Sequence, residues 1–361
     1  MIAMHEPVRL WDASRSFPPP DARTVPGIRY SLVHRQTPDF EFLHEPRIAH
    51  DGRRLLVNFS NAPRRESEPA QVMRGRRSAD GGRTWSAVEV VAGGFADGRR
   101  RHETAPLLVR EDGVWALVGR YDFGSKNAIG MEIWREHAGT GFFAPVSDGV
   151  VVPDFIPFVA PQRLRDGSWI VGGHFRKVTT AAVAISDGAD LQRWRVVPLQ
   201  TDIHPGYPET ALAVRGDDVL AIVRPPAGPG STALAALSRD GGRSFGPLLP
   251  TALPMDDSKP FAGVLSDGRA YLIWNQGEPR RDAMWIAVTE PGALHPFARV
   301  WRLVGGHPSA LPADLAEIAG NAPAHEWAYP EAVEHDGRLH VVFSLDKRHC
   351  YMATIPVAAL A

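Results

Sequence analysis

The chain has 361 residues, 44% of them hydrophobic and 22% charged, with 40 Lys and Arg against 41 Asp and Glu and a formal net charge of −1. This balance leaves no basic excess to neutralise nucleic-acid phosphates or an anionic membrane surface, and no run of 18 or more apolar residues is available to span a bilayer. The single cysteine, Cys350, excludes an intrachain disulfide and a Cys-based metal site. Residues 1–16 carry no apolar stretch of signal-peptide length, so the expected location is the cytoplasm, or outside the cell if a leader has been removed.

Residues 27–35 (GIRYSLVHR) read as a strand, and a repeat follows them. Each copy is a Pro, a short apolar or alternating run, an Asp-Gly turn and a second β-rich run. Copies begin at Pro46 (PRIAHDGRRLLVNFS), Pro106 (PLLVREDGVWALVGR), Pro161 (PQRLRDGSWIVGGHF), Pro208 (PETALAVRGDDVLAIVR), Pro260 (PFAGVLSDGRAYLIWN) and Pro330 (PEAVEHDGRLHVVFS). Asp-Gly between strand-like runs marks a hairpin, because a type I′ turn needs positive φ at both central residues. The fourth copy has Gly-Asp-Asp instead. The starts lie 47 to 70 residues apart, the length of one four-stranded blade. The expectation is one all-β domain over residues 1–361, a six-bladed β-propeller of four-stranded antiparallel blades. The long last interval leaves room for a seventh blade or an insertion around residues 305–322. The last copy offers only three strands, so residues 27–35 are expected to supply the fourth and close the ring.

A second motif falls between some copies. Ser78-Ala-Asp-Gly-Gly-Arg-Thr-Trp85 and Ser238-Arg-Asp-Gly-Gly-Arg-Ser-Phe245 share one pattern, and Ser186-Asp-Gly-Ala-Asp-Leu-Gln-Arg-Trp194 is a worn copy. The Asp carboxylate can accept from turn N–H groups and a hydroxyl, the glycines take positive φ, and the aromatic ring packs inward. This pattern resembles the Asp-box of sialidases and related BNR-repeat proteins, and the repeats extend the resemblance over most of the chain.

In a meandering blade the Asp-Gly turns and the Asp-box loops share one face. The starts of the innermost strands and the ends of the second strands then meet at the other face, around a central funnel. Residues before or at the innermost strands include His44, Glu45, Arg47, His102, Gln162, Tyr207, Glu209, Lys259, Tyr329 and Glu331; those after the second strands include Arg224, Asn275 and Lys347. A funnel rich in carboxylates, phenols, imidazoles and bases suits a sugar-cleaving pocket. His-Glu pairs recur at His44-Glu45, His102-Glu103 and His325-Glu326, but none has the second histidine of an HExxH zinc site. No metal or other cofactor is expected.

The resemblance to sialidases implies three arginines clamping a substrate carboxylate, a Tyr nucleophile polarised by a Glu, and an Asp acid/base on a first-blade loop. The stretch from Glu209 to Arg224 looks like the sialidase segment in which Glu opens a strand and Arg ends the next. Tyr329 takes the nucleophile position and Arg224 the place of a clamp residue. His44-Glu45-Pro46 stands where sialidases have Arg-Ile-Pro, leaving Arg47 as a substitute, and Lys259 stands near the place of the third arginine. The first-blade loop, residues 61–68, has no Asp, only Glu66 and Glu68. The expected function is a sialidase-like glycoside hydrolase acting on a terminal, carboxylate-bearing sugar. Tyr329, Glu209 and His44 are its expected catalytic residues. Arg224, Lys259, Arg47, Glu45, His102, Gln162, Tyr207, Asn275 and Glu331 are its expected substrate contacts. A lyase acting on a uronic-acid linkage and a non-catalytic carbohydrate-binding propeller are the alternatives. The expected partner is carbohydrate, with no nucleic acid and no membrane.

Overall fold

In the fifth repeat the second and third strands, Ala270–Asn275 (AYLIWN) and Ala283–Val288 (AMWIAV), are almost wholly apolar rather than alternating, and every residue is buried. Such strands have both faces covered by neighbouring sheets. The computed structural model describes residues 7–361 apart from 94–99, 123–127, 138, 147–148, 176–178, 278–279 and 306–324. It arranges them as a six-bladed propeller of meandering antiparallel blades. Blade one runs through Phe42–His50, Leu55–Ala62, Val72–Ser78 and Glu89–Ala92. Blade four uses Thr210–Arg215, Asp218–Val223, Thr232–Ser238 and Leu249–Pro254. Blades two and three divide their innermost strand into two short pieces. The expected insertion at 305–322 falls almost wholly outside the described residues, and no helix among those described is long and apolar enough to cross a membrane.

Arg29–Arg35 adds to the outer edge of blade six, with Tyr30 opposite Ala353 and Leu32 opposite Tyr351, so the ring closes as the repeat requires. Before that, the N-terminal segment straps blade five. Arg302 N–H donates to Arg23 O at 2.8 Å, and Phe17 packs its ring against Trp11, Trp274 and Trp285. The strap covers an edge strand, Arg299–Gly305, that would otherwise offer unpaired backbone.

The turns differ from the uniform type I′ expectation. Only the last copy has positive φ at both central residues, 48° at Asp336 and 65° at Gly337. In the first copy Asp51 Oδ1 instead accepts from the N–H groups of Arg53 and Arg54, and Gly52 alone turns left-handed. The two Ser-x-Asp-Gly-Gly-Arg loops are near copies. Ser78 and Ser238 each donate to the Asp at 2.8 and 2.7 Å, and Thr84 and Ser244 each donate to it at 2.6 Å. The worn copy has become a tight hairpin, in which Ser186 Oγ donates to Gly188 O at 2.6 Å.

Val33 is fully buried in the seam between the closing strand and blade one. Val33→Asp, which puts an unpaired carboxylate there, is expected to cost about 3 kcal/mol or more of unfolding free energy. Urea denaturation followed by tryptophan fluorescence checks this as a lowered midpoint.

Candidate active site

Blades one and six are neighbours and open their innermost strands in the same unusual way. In His44-Glu45-Pro46-Arg47 the register slips between His44 and Arg47, and Glu45 is left-handed at φ 52°. In Ala328-Tyr329-Pro330-Glu331 it slips between Ala328 and Glu331, and Tyr329 has φ 59°. A bulge of this kind re-aims one side chain out of the strand's alternation, at a backbone cost that the surrounding packing must offset. Here it presents Glu45 and Tyr329 at equivalent positions of adjacent blades.

Tyr329 Oη donates to Glu209 Oε1. Arg224 Nη1 donates to Glu209 Oε2 at 2.9 Å and to Tyr329 Oη at 3.2 Å, so the guanidinium closes a three-membered ring of contacts. Its Nη2 lies 3.5 Å from Asp257. Burial and the charge of Glu209 push the Tyr329 phenol well above its ordinary pKa, against the pull of Arg224. The phenol therefore holds its proton at rest and has a hydrogen-bonded acceptor ready to take it. Tyr121, Ile156 and Phe158 pack around Tyr329 as an apolar wall. Tyr207, 57% exposed, sets its ring 5.4 Å from the Arg224 guanidinium at the mouth of the site.

His44 packs against this group, its ring centroid 4.3 Å from that of Tyr329 and its plane tilted by 54°. Its Nδ1 is 2.7 Å from Ser344 Oγ, which in turn donates to Ala328 O at 3.3 Å, so Nδ1 carries the hydrogen and Nε2 is bare. Burial, reinforced by Lys347, Arg281 and Arg47, holds the imidazole well below its ordinary pKa and keeps it neutral. Arg281, on the loop after the second strand of blade five, is a further cation acting on both His44 and Tyr329. It donates to Glu326 and, at 2.6 Å, to Asp257 O.

The sequence reading missed Arg281, Arg280 and Asp257. A signal was present for Asp257, since Asp256-Asp257 immediately precedes Ser258-Lys259, whereas Arg280-Arg281 lies several residues past the end of its second strand.

Six expected substrate contacts do not join this group, because their polar atoms are used within the protein. Arg47, Lys259 and Glu331 are 0% exposed and form a buried layer. Glu331 Oε2 lies 3.6 Å from Arg47 Nε and 3.8 Å from Lys259 Nζ, while Lys259 donates to Pro330 O at 2.7 Å. Asn275 braces blade six by donating to Trp327 O at 2.7 Å. His102 pairs with Glu132 at 3.2 Å inside blade two. Gln162 clamps blade four, donating to Leu212 O at 2.6 Å and accepting from Val214 N–H at 3.1 Å. On the opposite face a cavity of about 420 Å³ opens between blades one and six, lined by His50, His335 and four arginines; it contains none of the residues around Tyr329. Among the described residues no group of three His, Cys, Asp or Glu side chains is arranged to hold a metal ion.

Six meandering blades carrying two Ser-x-Asp-Gly-Gly-Arg loops define a propeller of the sialidase-like superfamily. The chain belongs to the BNR repeat-like domain family, whose model matches residues 53–341. No curated protein matches it. Among solved structures, a Dyadobacter fermentans protein of unknown function is 19% identical, with TM-score 0.68, over 91% of this chain and 99% of that one. The Hadza microbial sialidase Hz136 is 14% identical, with TM-score 0.66, over 89% of this chain and 66% of that one. Trypanosoma rangeli sialidase is 13% identical, with TM-score 0.67, over 93% of this chain and 60% of that one. At these identities the likeness is one of fold, and the chain spans less than two thirds of either sialidase.

Removing Glu331 would take away the carboxylate that lies between Arg47 and Lys259 and leave Lys259 without its ion-pair partner. Glu331→Ala is expected to destabilise by about 3–5 kcal/mol, read as a fall in Tm by calorimetry. Burial pushes the Lys259 ammonium down to about 7 from an ordinary 10.5. Between those pH values the unfolded chain binds the extra proton, so this group's contribution to stability rises with pH across that window and is lost as pH falls through 7. Lys259→Met is expected to flatten the rise in urea midpoint between pH 7 and about 9.

Proposed function

We propose that the chain is a sialidase-like glycoside hydrolase that releases a terminal sugar carrying a carboxylate. The observation that carries this reading is the hydrogen-bonded Tyr329–Glu209–Arg224 group at the start of blade six. Glu209 takes the phenolic proton as Tyr329 Oη bonds to the anomeric carbon, and Arg224, held against both, stabilises the charge that moves between them. A neutral phenol suits an anionic sugar, where a carboxylate nucleophile would meet charge repulsion. Arg224 and Arg281 bias the pocket toward an anion, and Tyr207 offers an exposed ring at its mouth for a sugar face. The fold likeness to proteins named as sialidases is consistent with this reading. With Lys259 buried and His44 in place of an arginine, the carboxylate is held by fewer cations than the family's three arginines supply.

A lyase acting on a uronic-acid linkage is the second reading, favoured by the bare Nε2 of neutral His44 beside Tyr329, a possible acceptor for a carbon-bound proton.

The test is turnover of aryl glycosides of sialic acid, glucuronic acid, rhamnose and neutral sugars. Release is expected from an acidic glycoside. Tyr329→Phe is expected to lower kcat by at least roughly 10³-fold and Glu209→Gln by roughly 10²-fold. An unsaturated, ultraviolet-absorbing product from a uronate polymer, lost in His44→Ala, would replace the hydrolase with the lyase. Binding without turnover of either kind would leave a carbohydrate-binding propeller.

A further inference from the structure

We propose that Glu45 is the proton donor of this site, passing its carboxyl proton to the glycosidic oxygen while Tyr329 attacks the anomeric carbon; the inference rests on the hydrolase reading above. Expulsion of a sugar alcohol needs an acid, and the Asp that the family carries on its first-blade loop is missing from residues 61–68. The described side chains whose charge or ring reaches Tyr329 supply few substitutes. His44 has its hydrogen on Nδ1, bound to Ser344, and presents no proton on Nε2. Glu209 accepts from both Tyr329 and Arg224. Asp257 lies between Arg224 and Arg280. Two more carboxylates stand nearby, and each has its own cation: Glu66 pairs with Lys347 at 2.7 Å, and Glu103 with Arg101 at 2.7 Å.

Glu45 differs from all of these. Among the described residues the cation paired with it is Arg47, 3.2 Å from Oε2, and that guanidinium is also shared with Thr104 at 2.7 Å, Pro46 O at 3.0 Å and Glu331 at 3.6 Å. The bulge turns Glu45 out of the strand's alternation just as the matching bulge turns Tyr329 on the adjacent blade, and the charge of Glu45 acts on the Tyr329 phenol beside which His44 packs. The Glu45 side chain keeps 8% of its surface open. Burial, with the charges of Glu209, Glu103 and Glu66, raises its carboxyl well above the ordinary range against the pull of Arg47, the direction a proton donor needs.

In the first step the C–O bond to the leaving group breaks and its electron pair takes the Glu45 proton, giving a free alcohol. At the same time Tyr329 Oη bonds to the anomeric carbon and its own proton passes to Glu209. In the second step water attacks that carbon, Glu45 carboxylate takes the water proton, and the phenolate oxygen leaves and recovers its proton from Glu209. The residues return to their starting state.

The experiment compares Glu45→Gln with wild type on two glycosides of the same acidic sugar, one with a nitrophenol and one with a sugar alcohol as leaving group. Nitrophenol leaves without protonation. The expected result is a loss of at least roughly 10²-fold in kcat/KM, which reports the first step, on the sugar-alcohol substrate, less than roughly tenfold in kcat/KM on the nitrophenyl one, and disappearance of the basic limb of the pH dependence of kcat/KM. Glu45→Asp, which keeps the acid and shortens its reach, should show the same selective loss to a smaller extent, and serves if the glutamine variant does not fold. Equal losses on both substrates, or none, overturn the assignment while leaving the hydrolase intact. Failure of wild type to release either leaving group removes the hydrolase reading, and the donor role goes with it.

Discussion

A carboxylate with no access to water lies under the site. Glu331, between Arg47 of blade one and Lys259 of blade five, joins three blades at the level just below Tyr329. Charges taken so far from solvent are costly unless each has a partner, and here the partners come from different blades, so the blades must be in place together for the charges to be tolerated. Lys259 also holds the carbonyl of Pro330, the residue after Tyr329, and Arg47 holds the carboxyl of Glu45. The two left-handed residues are thus anchored from below, Glu45 by Arg47 two positions along and Tyr329 through Pro330 O, held by Lys259 of blade five, which is the overdetermination that a strained backbone needs.

Most of the fold was legible in the chain because it is written six times. Proline at the start of each copy, a turn signal five to eight residues later and two β-rich runs are local features, and local features survive without knowledge of the partner strand. The role of residues 27–35 could be inferred by counting strands. Turn type was less legible: Asp-Gly in the first copy uses the Asp side chain to cap backbone N–H groups, a solution as compatible with that dipeptide as type I′.

The site was legible only in part, and the reason is depth. Sequence order places Arg47, Lys259 and Glu331 beside the funnel as readily as Glu45, Glu209 and Tyr329, because neighbouring positions in a strand differ by which way they point and not by where they start. The bulges at Glu45 and Tyr329 decide that direction, and an extended-strand rule predicts the opposite parity. Arg224 was readable because it ends a strand opposite Glu209; Arg281 was not, because it lies on a loop several residues past Asn275, and nothing local to Arg280-Arg281 says which of the two turns inward.

The closing strand also imposes an order on events during synthesis. Arg29 pairs with Thr354 and Arg35 with His349, so this strand has no partner until the third strand of blade six has emerged. Blades one to five can form their own hairpins as they are translated, but the seam holding Val33 cannot be filled until blade six exists. The nascent chain therefore carries an open-ended row of sheets through most of its birth, with the apolar flank of blade one uncovered and one unpaired strand tethered ahead of it. Closure is a single late event that buries both flanks at once.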